Sequence, residues 1–134
     1  MSRVSHSAVK TLSAIAMALA FAAPAGAADL ASPVGKWQTA SGESRYEVSY
    51  CGVEQQLCAK LTWLRSDART PENLAYLNRL VVRGAEATST NKWKGVIKFD
   101  GQDIPGRMTL IDNDKMVLMG CQVLFCQTVE FERI

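Results

Sequence analysis

Four side chains carry most of the chemistry this sequence could offer: Cys51, Cys58, Cys121 and Cys126. They fall into two local pairs, around Gly-Val-Glu-Gln-Gln-Leu and around Gln-Val-Leu-Phe. A thioredoxin-type redox centre needs C-x-x-C, which neither pair supplies. Four thiolates could hold zinc, but zinc knuckles usually space their ligands more tightly. The third use is cross-linking. An even cysteine count in an oxidising compartment favours disulfides. Of the three pairings four cysteines allow, the local one, Cys51–Cys58 with Cys121–Cys126, suits two short turn-like segments.

The compartment follows from the first residues. Arg3 and Lys10 form a positive head, Thr11 to Ala23 is almost uninterruptedly apolar, and Ala25-Gly26-Ala27-Ala28 supplies small residues before Asp29. That layout predicts a secretory signal peptide, residues 1–28, cleaved after Ala27 or Ala28. The apolar run is shorter than the roughly 20 residues a membrane span needs. Residues 29–134 then form a single exported domain, periplasmic or secreted, large enough for one modest core.

Cleavage also changes the charge argument. Without Arg3 and Lys10 the fifteen basic residues become thirteen, equal to the thirteen acids. A net charge of zero gives no support for nucleic-acid binding. The only histidine, His6, leaves with the leader. A chain without histidine cannot run Ser-His or Cys-His catalysis or build a His-ligated zinc site. Asp112-x-Asp114 lacks the further ligands and glycine of a calcium loop and reads as a hairpin turn. Lys92, Lys94 and Lys98 alternate along one strand face and read as a solvated face rather than a basic patch.

Strands with a period of two must position these groups. Gly35 to Thr39 is a short strand. Ser44 to Tyr50 alternates Tyr46, Val48 and Tyr50 against Arg45, Glu47 and Ser49. Leu57, Ala59, Leu61 and Trp63 share a face and complete a hairpin across the first cysteine pair. Thr70 as N-cap with Pro71 at the first helical position predicts a short helix, with Leu74 and Leu77 as its anchors. Arg79 to Arg83 is extended and Ala85 to Asn91 reads as a polar loop. Trp93, Gly95, Ile97 and Phe99 then face inward, and Pro105-Gly106 marks an edge or bulge in the next strand. Lys115 to Cys121 and Cys126 to Arg133 form the last hairpin, with Val129 and Phe131 inward. About eight short strands, tight turns and one short helix predict an all-β fold, a small antiparallel up-and-down barrel.

Gly35-Lys36-Trp37 near the start and Arg133 near the end resemble the signature of the calycin barrels, the lipocalins and their relatives. The resemblance implies that Gly35, Trp37 and Arg133 close the barrel, with the guanidinium stacked on the indole. A wider resemblance covers most of the exported part. VGKWQT, YCG, LCAKLTWL, NLAYLNRLVVRG and NKWKGVIKFDGQ, with an aromatic-x-Arg at the end, resemble the bacterial exported family known as domain of unknown function 2147. Cys51, Gly52, Leu57, Cys58, Lys60, Leu61 and Trp63 match one of its segments, and Trp93, Gly95 and Ile97 another. Ala59 stands where the family has glycine, Arg79-Leu80 lacks an intervening proline, Ile104-Pro105 follows the turn where the family tends to tyrosine, and Phe131 replaces tryptophan. Cys121 and Cys126 lie outside the pattern. This resemblance implies a barrel in the cell envelope and carries no catalytic residue.

Tyr46, Tyr50, Trp63, Trp93 and Phe99 are the residues expected to line a cavity, or to fill it. A binding module for a small apolar or amphipathic ligand is the leading functional expectation. An envelope interaction protein, such as a hydrolase inhibitor or assembly factor working through loops 51–58 or 66–78, is the alternative. No enzyme is expected: a carboxylate mechanism would need an inward acid, and strand parity puts Glu47, Glu130 and Glu132 outside. No cofactor, metal or nucleic-acid partner is implied.

Overall fold

The computed structural model describes residues 32–134, so the signal-peptide reading lies outside the described residues. Eight strands follow one another around a closed antiparallel barrel, each paired with its sequence neighbours, and the last returns to the first. They are β1 (Gly35–Thr39), β2 (Ser44–Cys51), β3 (Gln56–Leu64), β4 (Leu80–Ser89), β5 (Lys92–Phe99), β6 (Gln102–Leu110), β7 (Lys115–Gln122) and β8 (Phe125–Arg133). A single helix of four residues, α1 (Pro71–Leu74), lies in the β3–β4 connection behind a 3-10 turn at Ser66–Ala68. As the cap residues require, the Thr70 hydroxyl accepts from the Asn73 N–H, and Pro71 opens the helix. Among the described residues no helix is long and apolar enough to cross a membrane.

The up-and-down order gives the barrel two distinct ends. One carries the start of β1, the end of β8 and the β2–β3, β4–β5 and β6–β7 turns. The other carries the β1–β2, β5–β6 and β7–β8 turns and the helical connection. At the first end Trp37 is fully buried, the largest such side chain in the core. Its indole N–H donates to the Pro33 carbonyl at 2.9 Å. Trp37 pairs with Arg133 across the β1–β8 seam, and the Arg133 guanidinium lies 4.3 Å over the indole ring. The same guanidinium donates to the carbonyls of Val34 (2.9 Å), Ser32 (2.6 Å) and Asn113 (2.5 Å). One side chain thus ties the entering chain and the β6–β7 turn over the floor. Gly35 is required beside it, because its φ is +142° and a Cβ there would come within 2.6 Å of Arg133 Nη1.

Three departures from simple alternation shape the wall. Arg45 pairs with Trp63 and Tyr46 with Leu61, so Thr62 is an extra residue in β3. That bulge reverses the parity beyond it: Leu64 turns into the core, and Trp63 turns out under Arg45, 4.4 Å from its ring. β4 continues to Ser89 through the stretch expected as a polar loop. Gly84, with φ +65°, and a register shift between Val82 and Glu86 carry the strand on out of phase. β6 runs unbroken through Pro105 because its ladder to β7 begins only at Gly106↔Gly120, so the missing N–H costs nothing on that side.

Candidate functional site

The interior is packed at the Trp37 end and hollow at the other. Trp37, Leu57, Trp93 and Leu110 belong to the buried core. Beyond them lies a cavity of about 500 Å³ that opens among the loops of the second end. Its walls are mostly aliphatic: Val48, Ala59, Leu61 and Leu64 from β2 and β3, Val81, Val82 and Ile97 from β4 and β5, and Met108, Met116, Leu118 and Val129 from β6 to β8. Two aromatic rings meet inside it, Tyr46 and Phe131, edge to face at 5.4 Å between centroids.

The buried polar groups of the cavity sit together on the β1–β2 side, and the charged ones lie at its mouth. Thr39 and Ser44 are buried, and both line the cavity. The Thr39 hydroxyl accepts from the backbone N–H groups of Glu43 and Ser44 and donates to the Ser44 carbonyl, so it holds the β1–β2 turn. The Ser44 hydroxyl donates to the Tyr46 phenol oxygen at 3.2 Å. One bond between two hydroxyls uses one of their two protons and leaves the other for a third partner. Burial pushes the Tyr46 phenol above its usual pKa, against the opposing bond from Ser44 and with help from the Glu43 carboxylate. The phenol is neutral at physiological pH, a hydrogen-bonding group in an apolar wall.

The helical connection roofs part of the opening. Ala68, Glu72, Asn73 and Tyr76 line the cavity from this segment. Tyr76 is tied down because its hydroxyl accepts from the Gly101 N–H at 2.6 Å, joining the roof to the β5–β6 turn. Its far end is held to β3 by Asn78 N–H to Leu61 carbonyl at 2.7 Å and Leu61 N–H to Arg79 carbonyl at 3.1 Å. Arg65 forks onto Asp67 at 2.6 and 2.9 Å, and that bond holds the Asp67 carboxyl below its ordinary range. Leu77 packs on the core as expected, but Leu74, the other expected anchor, is exposed.

Of the five residues read from the sequence as cavity-lining, the cavity includes Tyr46 and, at its mouth, Phe99. The other three lie elsewhere. Trp63 is on the outer face because of the Thr62 bulge. Trp93 is buried in the packed core and does not reach the cavity. Tyr50 is 47% exposed: β1 pairs with β2 only as far as Gly35↔Val48, so the rest of that hairpin projects beyond the wall. Both cysteine pairs are closed as local disulfides, Cys51–Cys58 and Cys121–Cys126. The thiolate set for a four-cysteine zinc site is therefore absent. Among the described residues no group of three or more His, Cys, Asp or Glu could hold a metal ion.

The family model described as "Uncharacterized protein conserved in bacteria (DUF2147)" matches residues 35–133, from Gly35 at the seam to Arg133. The chain belongs to this family. No curated protein and no solved structure matches it. The matched span of this DUF2147 barrel covers all eight strands, the floor and the cavity. The second disulfide staples the tip of the β7–β8 hairpin at the mouth end, where Val123 is 100% and Leu124 92% exposed. Thr39, Ser44, Glu72, Asn73 and Tyr76 were not foreseen as lining residues. The TPEN cap placed a helix in the sequence, but nothing local says that the helix roofs the barrel.

Proposed function

We propose that this protein is a non-enzymatic, exported binding module that takes a small apolar or amphipathic molecule into the open end of its barrel. The observation that carries the proposal is the cavity. Its volume of about 500 Å³ lies inside the roughly 300–1,000 Å³ of small-molecule sites, and its apolar wall with a few convergent hydroxyls has their chemistry. Two local disulfides suit the oxidising surroundings of a periplasmic or secreted chain. The carboxylates weighed for catalysis, Glu47, Glu130 and Glu132, are exposed. The test is native mass spectrometry of protein gently isolated from the cells that make it. A non-covalent small-molecule adduct, released on unfolding, is expected. A bare protein mass, together with no uptake of an added apolar dye, would count against ligand binding.

A second reading has its own observation. Val123, Leu124 and Phe125 stand exposed on a stapled hairpin tip. Such a rigid apolar knob loses little entropy on docking, and it supports an envelope interaction module. Affinity capture with the intact chain and with Leu124→Asp separates this reading from the first.

A further inference from the structure

We infer that the cavity selects amphipathic molecules with a cationic head, such as long-chain alkyl ammonium ions, over fatty acids of the same chain length. The inference rests on the binding reading above and concerns the charge at the mouth of the same cavity. Among the side chains lining it, the charged ones are Glu43, Glu72, Asp100 and Lys98. Three are acidic and one is basic, and the base is already engaged: Lys98 forms an ion pair with Asp103, which does not line the cavity. Two arginines of the roof segment stand close by without lining the cavity: Arg65 is forked onto Asp67 and reaches Glu43 at 3.8 Å, and Arg69 donates to the Leu64 carbonyl at 3.2 Å. No cation is left free to receive a carboxylate head among these lining groups. Glu72 and Asp100 have no ion-pair partner among the described residues.

The three acids come from different elements. Glu43 is on the β1–β2 turn, Glu72 on α1, and Asp100 on the β5–β6 turn. The Tyr76 hydroxyl bonded to the Gly101 N–H fixes α1's segment against the turn that carries Asp100. Two acids are thereby held on facing elements of the opening. The Glu43 field reaches inward as well, since that carboxylate adds to the upward shift of the Tyr46 phenol. An apolar tail along the aliphatic wall places its head among these groups. Like charges brought together there are repelled and opposite charges attracted, and a low-dielectric wall strengthens both effects.

Titration of the full exported chain with dodecylammonium, dodecanol and dodecanoate, each below its aggregation limit, tests this by displacement of a neutral fluorescent dye. The ammonium ion is expected to bind at least about tenfold tighter than the carboxylate, with the alcohol between them. That ratio should shrink as salt rises. The paired substitutions Glu72→Gln and Asp100→Asn, both at exposed positions, should also reduce it, whereas Glu47→Gln on the outer face should not. Saturable binding of all three with equal affinity, or with the carboxylate tightest, overturns head-group selection and leaves the cavity reading standing. Saturable binding of none overturns both.

Discussion

At the scale of single residues, the floor and the polar side of the cavity make separable predictions. Trp37 is wholly buried and seals one end. Its replacement by alanine should cost about 3–5 kcal/mol in chemical denaturation, the usual range for a buried aromatic. Arg133→Ala removes a cation–π contact and three bonds to carbonyls, and about 2 kcal/mol is expected. Arg133→Lys should recover little of it, because an ammonium cannot reproduce the planar fork. Tyr46 predicts a pH effect whose sign is fixed. Its pKa is raised in the folded state, so the unfolded chain loses this proton first as pH rises. Its contribution is whole below the ordinary tyrosine pKa of about 10 and falls as pH climbs from there through the folded value. Tyr46→Phe should flatten that alkaline limb in stability measured against pH. At this scale the sequence was partly legible. Alternation in β2 points Tyr46 inward. The same counting misplaces Trp63, because the Thr62 bulge is a property of two paired strands and leaves no mark on either alone.

At the scale of elements, the two stapled hairpins and one glycine row are parts of the wall whose effects can be separated. The hairpins run past their neighbours: β8 meets β1 only from Phe131 to Arg133, and β2 meets β1 only up to Val48. Each overhang carries one disulfide, and the loops they close are short. Loop entropy gives each about 2–2.5 kcal/mol. Replacing Cys121 and Cys126 by serine should lower stability by that amount or less and raise amide exchange at the tip, while the floor stays protected. Gly95, Gly106 and Gly120 lie in register across β5, β6 and β7, leaving room for inward isoleucines. A Cβ at Gly95 would come within 2.9 Å of the Ala85 Cα. That neighbour is backbone and cannot rotate aside, so Gly95→Ala should cost about 1–3 kcal/mol in thermal unfolding. The strands themselves were readable from period and turn residues such as Asp100-Gly101. Read one strand at a time, the sequence ends the fourth strand at Arg83, whereas β4 runs on to Ser89, because the phase shift at Gly84 looks like a loop.

At the scale of the whole molecule, the asymmetry between the ends is what makes a binding site. One end is closed by an indole, a guanidinium and the entering chain. The other is left open by the short β1 and roofed in part by the helical connection, whose place depends on Tyr76 reaching Gly101 across 25 positions of sequence. The barrel class was accessible from strand count and from residues far apart in sequence, Gly35 and Trp37 in the first strand and Arg133 in the last, which meet at one end of the barrel. Whether the interior would be filled was not, since that depends on how far eight staggered strands stand apart and on bulges that turn Trp63 out. The central claim is that the open end takes up a small molecule. The most direct test is titration of a neutral fluorescent apolar dye into wild-type protein and into Ala59→Phe, which puts a ring where a buried methyl lines the cavity. The account predicts saturable one-to-one binding by the wild type, and its loss in a variant whose circular dichroism is unchanged. Equal binding by both, or none by the wild type, would contradict it.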